Sequence, residues 1–229
     1  MGFADHRMPG VDILLPDPSF VSARRKDLAG LLITHAHEDH IGAVPYLWPR
    51  WRCPIYCTPF TASVLRRKFR EYPECSDAEI HIVEPGEMHE VGPFRLHFIH
   101  VAHSIPEAIA TVIETDAGRV LHSGDWNLDP RPVINDPSDE KAFKAFGDKG
   151  ITAYIGDSTN AEIAGRARSE SEVEAGLAAL FGECKGRIIV TMFSSNIGRL
   201  RSVAKAAEAN DRSVILVGRS LHNMTGAAR

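Results

Sequence analysis

The stretch Thr34-His35-Ala36-His37-Glu38-Asp39-His40-Ile41-Gly42 follows the apolar run at 31–33 and places three imidazoles and two carboxylates close together. On an extended chain, residues two apart point to the same side, so His35 and His37 would face one ion together. If a helix begins at Asp39, its carboxylate and His40 reach a neighbouring point. Imidazole and carboxylate ligands suit zinc, and two zinc ions about 3.5–4 Å apart can act on one phosphate. A solvated polar loop is the alternative for a single histidine, but this density of ligands after an apolar run predicts a metal site.

Two positions far along the chain are candidates for further ligands, because four residues cannot complete two zinc coordination spheres. His103 and Asp125 each come shortly after an apolar run that we predict to be a strand. Gly124 would allow the backbone to approach the ions closely, and the Asp125 carboxylate could bridge them. For His103 the alternative is an ordinary strand-end histidine. His100 and His122 alternate with these positions, so we expect them in the core or behind the ligands.

Composition and charge are those of a globular protein rather than a membrane protein. The 229 residues are 44% hydrophobic and 24% charged, and their formal net charge of −4 argues mildly against nucleic acid as a partner. No apolar run approaches the ~20 residues that span a bilayer, and the N-terminus lacks the layout of a signal peptide. We therefore expect a cytoplasmic protein with no membrane partner. The four cysteines suggest no disulfide framework, and we expect Cys53 and Cys57 to be buried thiols.

Apolar periodicity and turn signals predict short strands in the first part of the chain and alternating helices and strands after Ser169. The first part has predicted strands at 28–34, 54–58, 94–101, 108–114, 119–122 and 153–156, and helices at 60–70 and 138–146. Ser169 followed by Glu172 predicts a capped helix start. Helices at 173–181, 197–209 and from 221 onward then alternate with strands at 187–192 and 213–217. This order is typical of a doubly wound parallel α/β unit.

The motif HAHEDHIG at 35–42, taken with His103 and Asp125, resembles the metal-binding motifs of the metallo-β-lactamase superfamily. The resemblance implies an αββα sandwich with two metal ions at one edge. It implies metal-ligand roles for His35, His37, Asp39, His40, His103 and Asp125, and catalytic roles for Asp39 and Asp125. We expect two Zn²⁺ ions per site, and Mn²⁺ is the alternative because the two metals share such ligands.

Finer matches resemble the ribonuclease J family, in the β-CASP branch of that superfamily. They are HSIP at 103–106, GDW at 124–126, GDSTN at 156–160, FSSNI at 193–197 and VGRS at 217–220. The resemblance implies that Asp157 is the first acidic motif of the β-CASP enzymes, with a catalytic role. It also implies that Ser194, Ser195 and Asn196 hold the RNA backbone. For Asp157 the residues alone leave a turn or cap at a strand end as the alternative.

The resemblance covers essentially the whole chain and implies its domain organisation. Residues 1–168 would form an incomplete metallo-β-lactamase αββα sandwich that lacks its first strands. Residues 169–229 would form the start of a β-CASP doubly wound parallel α/β domain. We expect a chain truncated at both ends, because later histidine motifs of the family, one of them a zinc ligand, would lie beyond Arg229.

The function that the resemblance implies is that of a zinc-dependent ribonuclease acting in RNA processing and decay. It implies 5′-to-3′ exonuclease activity, with endonuclease activity as an addition, on single-stranded, 5′-monophosphorylated RNA. It also implies a homodimer or higher oligomer in the full-length enzyme. Two alternatives stay open: a small-molecule hydrolase of the same fold, such as a thioesterase or lactonase, and a truncated chain without activity. The segment after Ser169 favours the nuclease, since a small substrate would not need it.

Overall fold

Two β-sheets lie at the centre of the fold. The computed structural model describes residues 2–3, 7–165 and 167–228. Its strands are β1 (Gly2–Phe3), β2 (Ile13–Leu14), β3 (Leu31–Leu32), β4 (Ile55–Cys57), β5 (Ile80–Ile82), β6 (Met88–Val91), β7 (Phe94–His100), β8 (Ile109–Thr115), β9 (Gly118–His122) and β10 (Ala153–Ile155). The larger sheet has the order β10-β9-β8-β7-β6, and the smaller sheet has the order β3-β4-β5. The larger sheet is antiparallel except between β9 and β10, whereas the smaller sheet is parallel. A separate antiparallel pair joins β1 to β2.

Helices surround these sheets and continue into the second part of the chain. They are α1 (Ser19–Ala23), α2 (Glu38–Ile41), α3 (Val44–Trp51), α4 (Pro59–Phe69), α5 (Glu140–Asp148), α6 (Glu170–Glu183), α7 (Ile197–Glu208) and α8 (Arg219–Ala227). Two 3-10 helices cover Arg25–Asp27 and Pro73–Cys75.

Three apolar clusters hold these layers in the order helix, sheet, sheet, helix. Trp48 of α3 packs in one cluster with Ile55 of the smaller sheet. Phe98 of the larger sheet and Leu32 of the smaller sheet share a second cluster between the two sheets. Phe143 of α5 packs against the outer face of the larger sheet in the third. Each fully buried side chain of this size stabilises the fold by about 1.5–3 kcal/mol. The predicted αββα sandwich is confirmed.

The second part of the chain packs as a helical pair against the first. Phe181 of α6 and Val203 of α7 belong to one buried cluster. The Ser169 side chain caps α6 by accepting a hydrogen bond from the Ser171 N–H, so the predicted helix start is confirmed. Ile197 of α7 and Met224 of α8 enter the buried cluster of the smaller sheet. The two parts of the chain therefore share one apolar core.

The predicted strands at 187–192 and 213–217 differ from the structure, which assigns no strand to either segment. Both segments line one cavity of about 740 Å³, so they lie near each other as the alternation of elements predicts. Some of their apolar side chains face outward, with Ile189 85% and Ile215 83% exposed, whereas Ile188 packs against the cluster of α6 and α7. A strand is defined by its hydrogen-bonded ladder, and β-branched composition alone does not supply a partner for that ladder.

Within the described ranges, which omit residues 1, 4–6, 166 and 229, no helix has the length and apolar character needed to cross a membrane.

The buried cysteine thiols provide a test of the packing of the layered core. Cys53, Cys57 and Cys75 are buried, and burial raises the pKa of each thiol, that of Cys57 to about 12. Since the thiolate is the reactive form, we expect a maleimide to label only Cys184 in the native chain at neutral pH. Mass spectrometry should show one label per native chain and four after denaturation. A Cys184→Ser variant should take up none while folded, and native labelling at Cys57 would contradict the packing.

Candidate metal centre

The histidine loop leaves the smaller sheet at the end of β3 and turns at once into a short helix. His37 has extended backbone angles, φ −67° and ψ 151°, and α2 begins at the next residue. Ala36 and Ile41 are fully buried in the core cluster of the smaller sheet, which anchors the loop on both sides of the turn. The alternation of side-chain directions along the extended segment therefore points His35 and His37 toward one place, as the sequence predicts.

Three ring nitrogens converge on that point. The Nδ1 atom of His37 lies 3.2 Å from Nε2 of His35 and 3.0 Å from Nε2 of His103. A carboxylate oxygen of Asp125 lies 3.8 Å from Nε2 of His35 and 4.0 Å from Nε2 of His103. Their donor atoms all lie within 4.8 Å of one another, and we name these residues the inner group: His35, His37, His103 and Asp125.

A second group of donors lies beside the first. The Nε2 atom of His40 lies 3.5 Å from Oδ2 of Asp39 and 3.3 Å from Oδ1 of Asp125. These three residues form the outer group, and their donor atoms also lie within 4.8 Å of one another. Asp125 belongs to both groups and offers a different oxygen to the histidines of each. This arrangement is the one expected of a carboxylate that bridges two ions.

The turn after β9 brings Asp125 to the histidines. Gly124 adopts φ +59°, and a Cβ atom there would lie 2.9 Å from the carbonyl oxygen of Ile109 and 3.2 Å from Cβ of Thr34. The Gly124 N–H donates to Nδ1 of His122 at 3.1 Å, so His122 supports the turn from behind. Gly124 therefore allows a close approach to the Ile109 carbonyl and to Thr34, and the approach of its backbone to the ions stays a prediction.

Burial keeps the inner imidazoles uncharged. It lowers the pKa of His37 to about 4, with the neighbouring His103 as the next cause. It lowers the pKa of His103 to about 4 as well, with His40 as the next cause. The pKa of His35, which is fully buried, falls further still for the same two kinds of reason. Neutral imidazoles carry the lone pairs that a metal ion requires.

Hydroxyl groups behind two of the rings complete the fit to a metal ion. Nδ1 of His35 lies 3.1 Å from Oγ1 of Thr34, and Nε2 of His37 lies 3.1 Å from Oγ of Ser104. When Nδ1 of His35 and Nε2 of His37 donate to these hydroxyl oxygens, the other nitrogen of each ring carries a lone pair. These two lone pairs, on Nε2 of His35 and Nδ1 of His37, point at each other. Lone pairs that face each other at about 3 Å need a cation or a shared proton between them. The residues of this site can therefore hold a metal ion.

Asp157 lies near this centre but outside both ligand groups. It follows β10, and its N–H donates to Oγ of Ser123 at 3.0 Å. Its carboxylate accepts hydrogen bonds from the N–H and the hydroxyl of Thr159, at 2.9 and 2.6 Å. The Thr159 hydroxyl is the main cause that lowers the pKa of Asp157, and the Thr159 N–H contributes. The geometry matches the turn at a strand end, and a catalytic role for Asp157 stays a prediction.

The three residues predicted to hold RNA occupy two different environments. Asn196 caps α7, where its side-chain oxygen accepts the Arg199 N–H at 2.7 Å. Ser194 and Ser195 line a cavity of about 370 Å³ between the two parts of the chain. The cavity reaches Glu38 and Gly42 of the histidine loop, and it also exposes Arg67, Lys68 and Arg219. Neither serine touches the ligand groups in the contacts between described residues.

Sequence reasoning missed two side chains that contact the histidine loop. Ser104 contacts His37, and Lys68 of α4 donates to a carboxylate oxygen of Glu38 at 2.7 Å. The order of residues in the chain contains no signal for the Lys68 contact, because its partner lies on another element. Ser104 directly follows a predicted ligand, and that adjacency was the available signal.

Comparison with known protein families gives the wider context of this geometry. A model of the β-lactamase superfamily domain matches residues 9–139, which include every residue of the inner and outer groups. The chain belongs to the β-lactamase superfamily. A second model, of the ribonuclease J β-CASP domain, matches residues 185–229 of this superfamily member.

The expected similarity of this superfamily member to ribonuclease J is confirmed by curated relatives. It is 44% identical over 227 residues to a ribonuclease J of Sinorhizobium meliloti, covering 99% of the chain and 40% of the relative. It is 40% identical over 228 residues to a ribonuclease J of Mycolicibacterium smegmatis, again with 99% and 40% coverage. A ribonuclease J of Helicobacter pylori is 38% identical over 230 residues, with 100% and 33% coverage. The chain thus spans 40% or less of the length of these relatives.

A solved structure supports the fold of this superfamily member. The crystal structure of a protein of unknown function from Enterococcus faecalis V583 matches with a TM-score of 0.57 and 19% identity. The match covers 79% of the chain and 48% of that structure.

Substitution of Gly124 tests the turn that delivers Asp125. We expect Gly124→Ala to lower the free energy of unfolding by about 1–3 kcal/mol, because a side chain at φ +59° is strained and meets a backbone carbonyl. Gly176→Ala is the matched control, since a Cβ at this exposed helical position meets nothing within 4 Å. It should stabilise the chain by about 0.5–1 kcal/mol. Urea denaturation measures both values, and equal effects of the two substitutions would contradict the close approach.

Acidification of the metal-free chain tests the neutral imidazoles. The unfolded rings take up protons near pH 6.5, whereas folded His37 and His103 do so near pH 4. Between these values the unfolded state binds more protons, so the free energy of unfolding should fall as the pH is lowered. Urea denaturation in the presence of a chelator measures this dependence. His37→Asn should weaken the dependence, and Ser76→Ala, which removes an exposed side chain that does not titrate, should leave it unchanged. A wild-type value constant over this window would contradict the burial.

Proposed function

We propose that this chain provides the metal centre and part of the RNA groove of a metal-dependent ribonuclease. The observation that supports it most is the pair of ligand groups sharing Asp125, in a chain similar to ribonuclease J over 99% of its length. Hydrolysis of a phosphodiester is the reaction for which two adjacent ions are suited, because they can face both the attacking and the leaving oxygen. We propose 5′-to-3′ exonuclease activity, with endonuclease activity in addition.

Zinc is the proposed metal, with one ion in each group. The inner group would hold one ion through three imidazoles and Asp125, and the outer group would hold the second through Asp39, His40 and Asp125. Bound zinc would supply positive charge that polarises a phosphoryl oxygen. The side chain of Asp39 is 70% exposed, so this carboxylate can also accept a proton from water that enters beside the ions.

The proposed RNA path runs through the cavity between the two parts of the chain. Arg67, Lys68 and Arg219 line it together with Glu38 and Glu71, which pair with Lys68 and Arg219. Phosphates bound there would replace these two carboxylates as partners of the cations. Ser194 and Ser195 add hydroxyl donors to its lining. The cavity reaches Glu38 and Gly42 on either side of Asp39 and His40, and we propose that the RNA path continues from it toward the outer group. Single-stranded RNA with a 5′-monophosphate is the proposed substrate.

The remaining features of the proposal concern the whole protein. We propose that residues 1–168 form the metallo-β-lactamase domain and that 169–229 belong to a β-CASP domain. The matches at 9–139 and 185–229 agree with a boundary between them. We also propose that the whole protein acts in cytoplasmic RNA processing and decay, as a homodimer or higher oligomer. A thioesterase or lactonase role is not favoured, since the second match lies in a segment that a small substrate does not need.

Exchange of segments tests the proposed activity. We expect a chimera in which this chain replaces the 227 matched residues of the Sinorhizobium meliloti ribonuclease J to cut 5′-monophosphorylated RNA. A chelator should abolish cleavage, and His37→Ala should reduce it at least about 100-fold, because the inner group loses one of its ligands. His81→Ala is the control histidine outside both groups. Turnover is measured on labelled RNA and on a thioester panel, and unchanged RNA cleavage after chelation would refute the proposal.

A further inference from the structure

The loop between β7 and β8 is fixed by contacts along its whole length. The Val101 N–H donates to the Ala108 carbonyl at 3.1 Å, which closes the loop at its base. Ile105 is fully buried in the core cluster of the smaller sheet. Glu107 adopts φ +59°, and its carboxylate accepts the Phe60 N–H at 2.6 Å, in the first turn of α4. A loop anchored in this way presents its remaining polar groups in one orientation.

Ser104 lies in this loop and contacts the metal centre from behind. Its Oγ atom is 3.1 Å from Nε2 of His37, a residue that lies 67 positions earlier in the chain. Its carbonyl oxygen accepts the N–H of Gly198 at 3.1 Å, in the first turn of α7. Ser104 is therefore held by the anchored loop on one side and by the second part of the chain on the other.

The hydroxyl can donate or accept, so the contact suits either tautomer of a neutral ring, but only one of these tautomers can bind the ion. A neutral imidazole has one N–H and one lone pair, on different nitrogens. With its proton on Nε2, His37 donates to the Ser104 hydroxyl and keeps the lone pair on Nδ1. Nδ1 is the atom that faces His35 and His103 at 3.2 and 3.0 Å. With its proton on Nδ1, the ring would instead direct an N–H at the ion position and lose its capacity as a ligand.

We infer that Ser104 is a positioning residue that holds His37 with its Nδ1 lone pair directed at the inner metal ion. The inference rests on the metal centre of the proposed function. Thr34 makes the equivalent contact to Nδ1 of His35, but from within the histidine motif itself. His37 depends in contrast on a hydroxyl from another loop, and that loop is bonded to α7. The second part of the chain thus contributes to the geometry of a ligand that it does not touch.

Zinc binding by the chain tests this role without a substrate. We expect Ser104→Ala to weaken zinc binding about 10–100-fold, the usual effect of losing a partner behind a metal-binding histidine. Ser104→Thr keeps the hydroxyl and should bind zinc within about threefold of wild type. Ser76→Ala, which removes an exposed serine hydroxyl outside both groups, is the matched control. Affinities are measured by competition with a chromophoric chelator, and urea denaturation confirms that every variant is folded.

A second readout addresses the tautomer directly. Nitrogen-15 chemical shifts of the imidazoles in the zinc-loaded chain distinguish a metal-bound Nδ1 with a protonated Nε2 from the reverse arrangement. We expect a metal-bound Nδ1 and a hydrogen-bonded Nε2–H for His37 in wild type and in Ser104→Thr, and a mixture of the two arrangements in Ser104→Ala. A merely structural role for Ser104 would leave these shifts unchanged.

The outcomes separate this inference from the proposed function. If wild type binds zinc and Ser104→Ala binds it equally well, the positioning role is overturned and the metal centre stands. An equal loss in Ser104→Thr and Ser104→Ala would also overturn the role, because it would assign the effect to packing. A wild-type chain that takes up no zinc would overturn the metal centre and the inference together.

Discussion

Several imidazoles lie close together in one buried site, and they can be buried there only if they stay uncharged. Removing a ring from water disfavours its protonated form, and a second ring close by disfavours it further. His35 experiences both effects most strongly, since it is fully buried and surrounded by three other histidines. A site of this kind repels protons and attracts a cation that can accept several lone pairs at once. The burial that stabilises the core thus also keeps the imidazoles neutral, as metal binding requires.

The sandwich supplies that burial by bringing distant loops to one edge. The histidine loop leaves the smaller sheet, whereas His103 and Asp125 follow strands of the larger sheet. The Ile109 N–H donates to the carbonyl of Thr34 at 3.1 Å, so a backbone hydrogen bond ties the two sheets together directly beneath the ligands. The relative position of the two sheets therefore fixes the distances between donor atoms, and packing far from the centre contributes to its geometry.

The sequence predicts the parts of the structure that depend on local spacing, and it fails where partners come from elsewhere. The sequence predicts that the side chains of His35 and His37 lie together, because residues two apart on an extended segment point to the same side. Local spacing does not predict helix α3, because Pro49 lies inside it and interrupts the pattern that marks a helix. The segments at 187–192 and 213–217 have strand composition, yet a ladder needs a neighbour that composition cannot name. The contact between the Ser104 hydroxyl and His37 likewise joins residues that are distant in sequence, so local spacing does not predict it.

Asp125 gives its two oxygens to different groups, and this sharing makes the two sites one thermodynamic unit. An ion in the inner group neutralises part of the carboxylate charge, yet it also fixes the orientation that the outer group requires. Occupancy of one position must then alter the affinity of the other, and by reciprocity the effect is equal in both directions. If both positions bind ions, the concentration of metal ion that fills one of them therefore depends on whether the other is occupied.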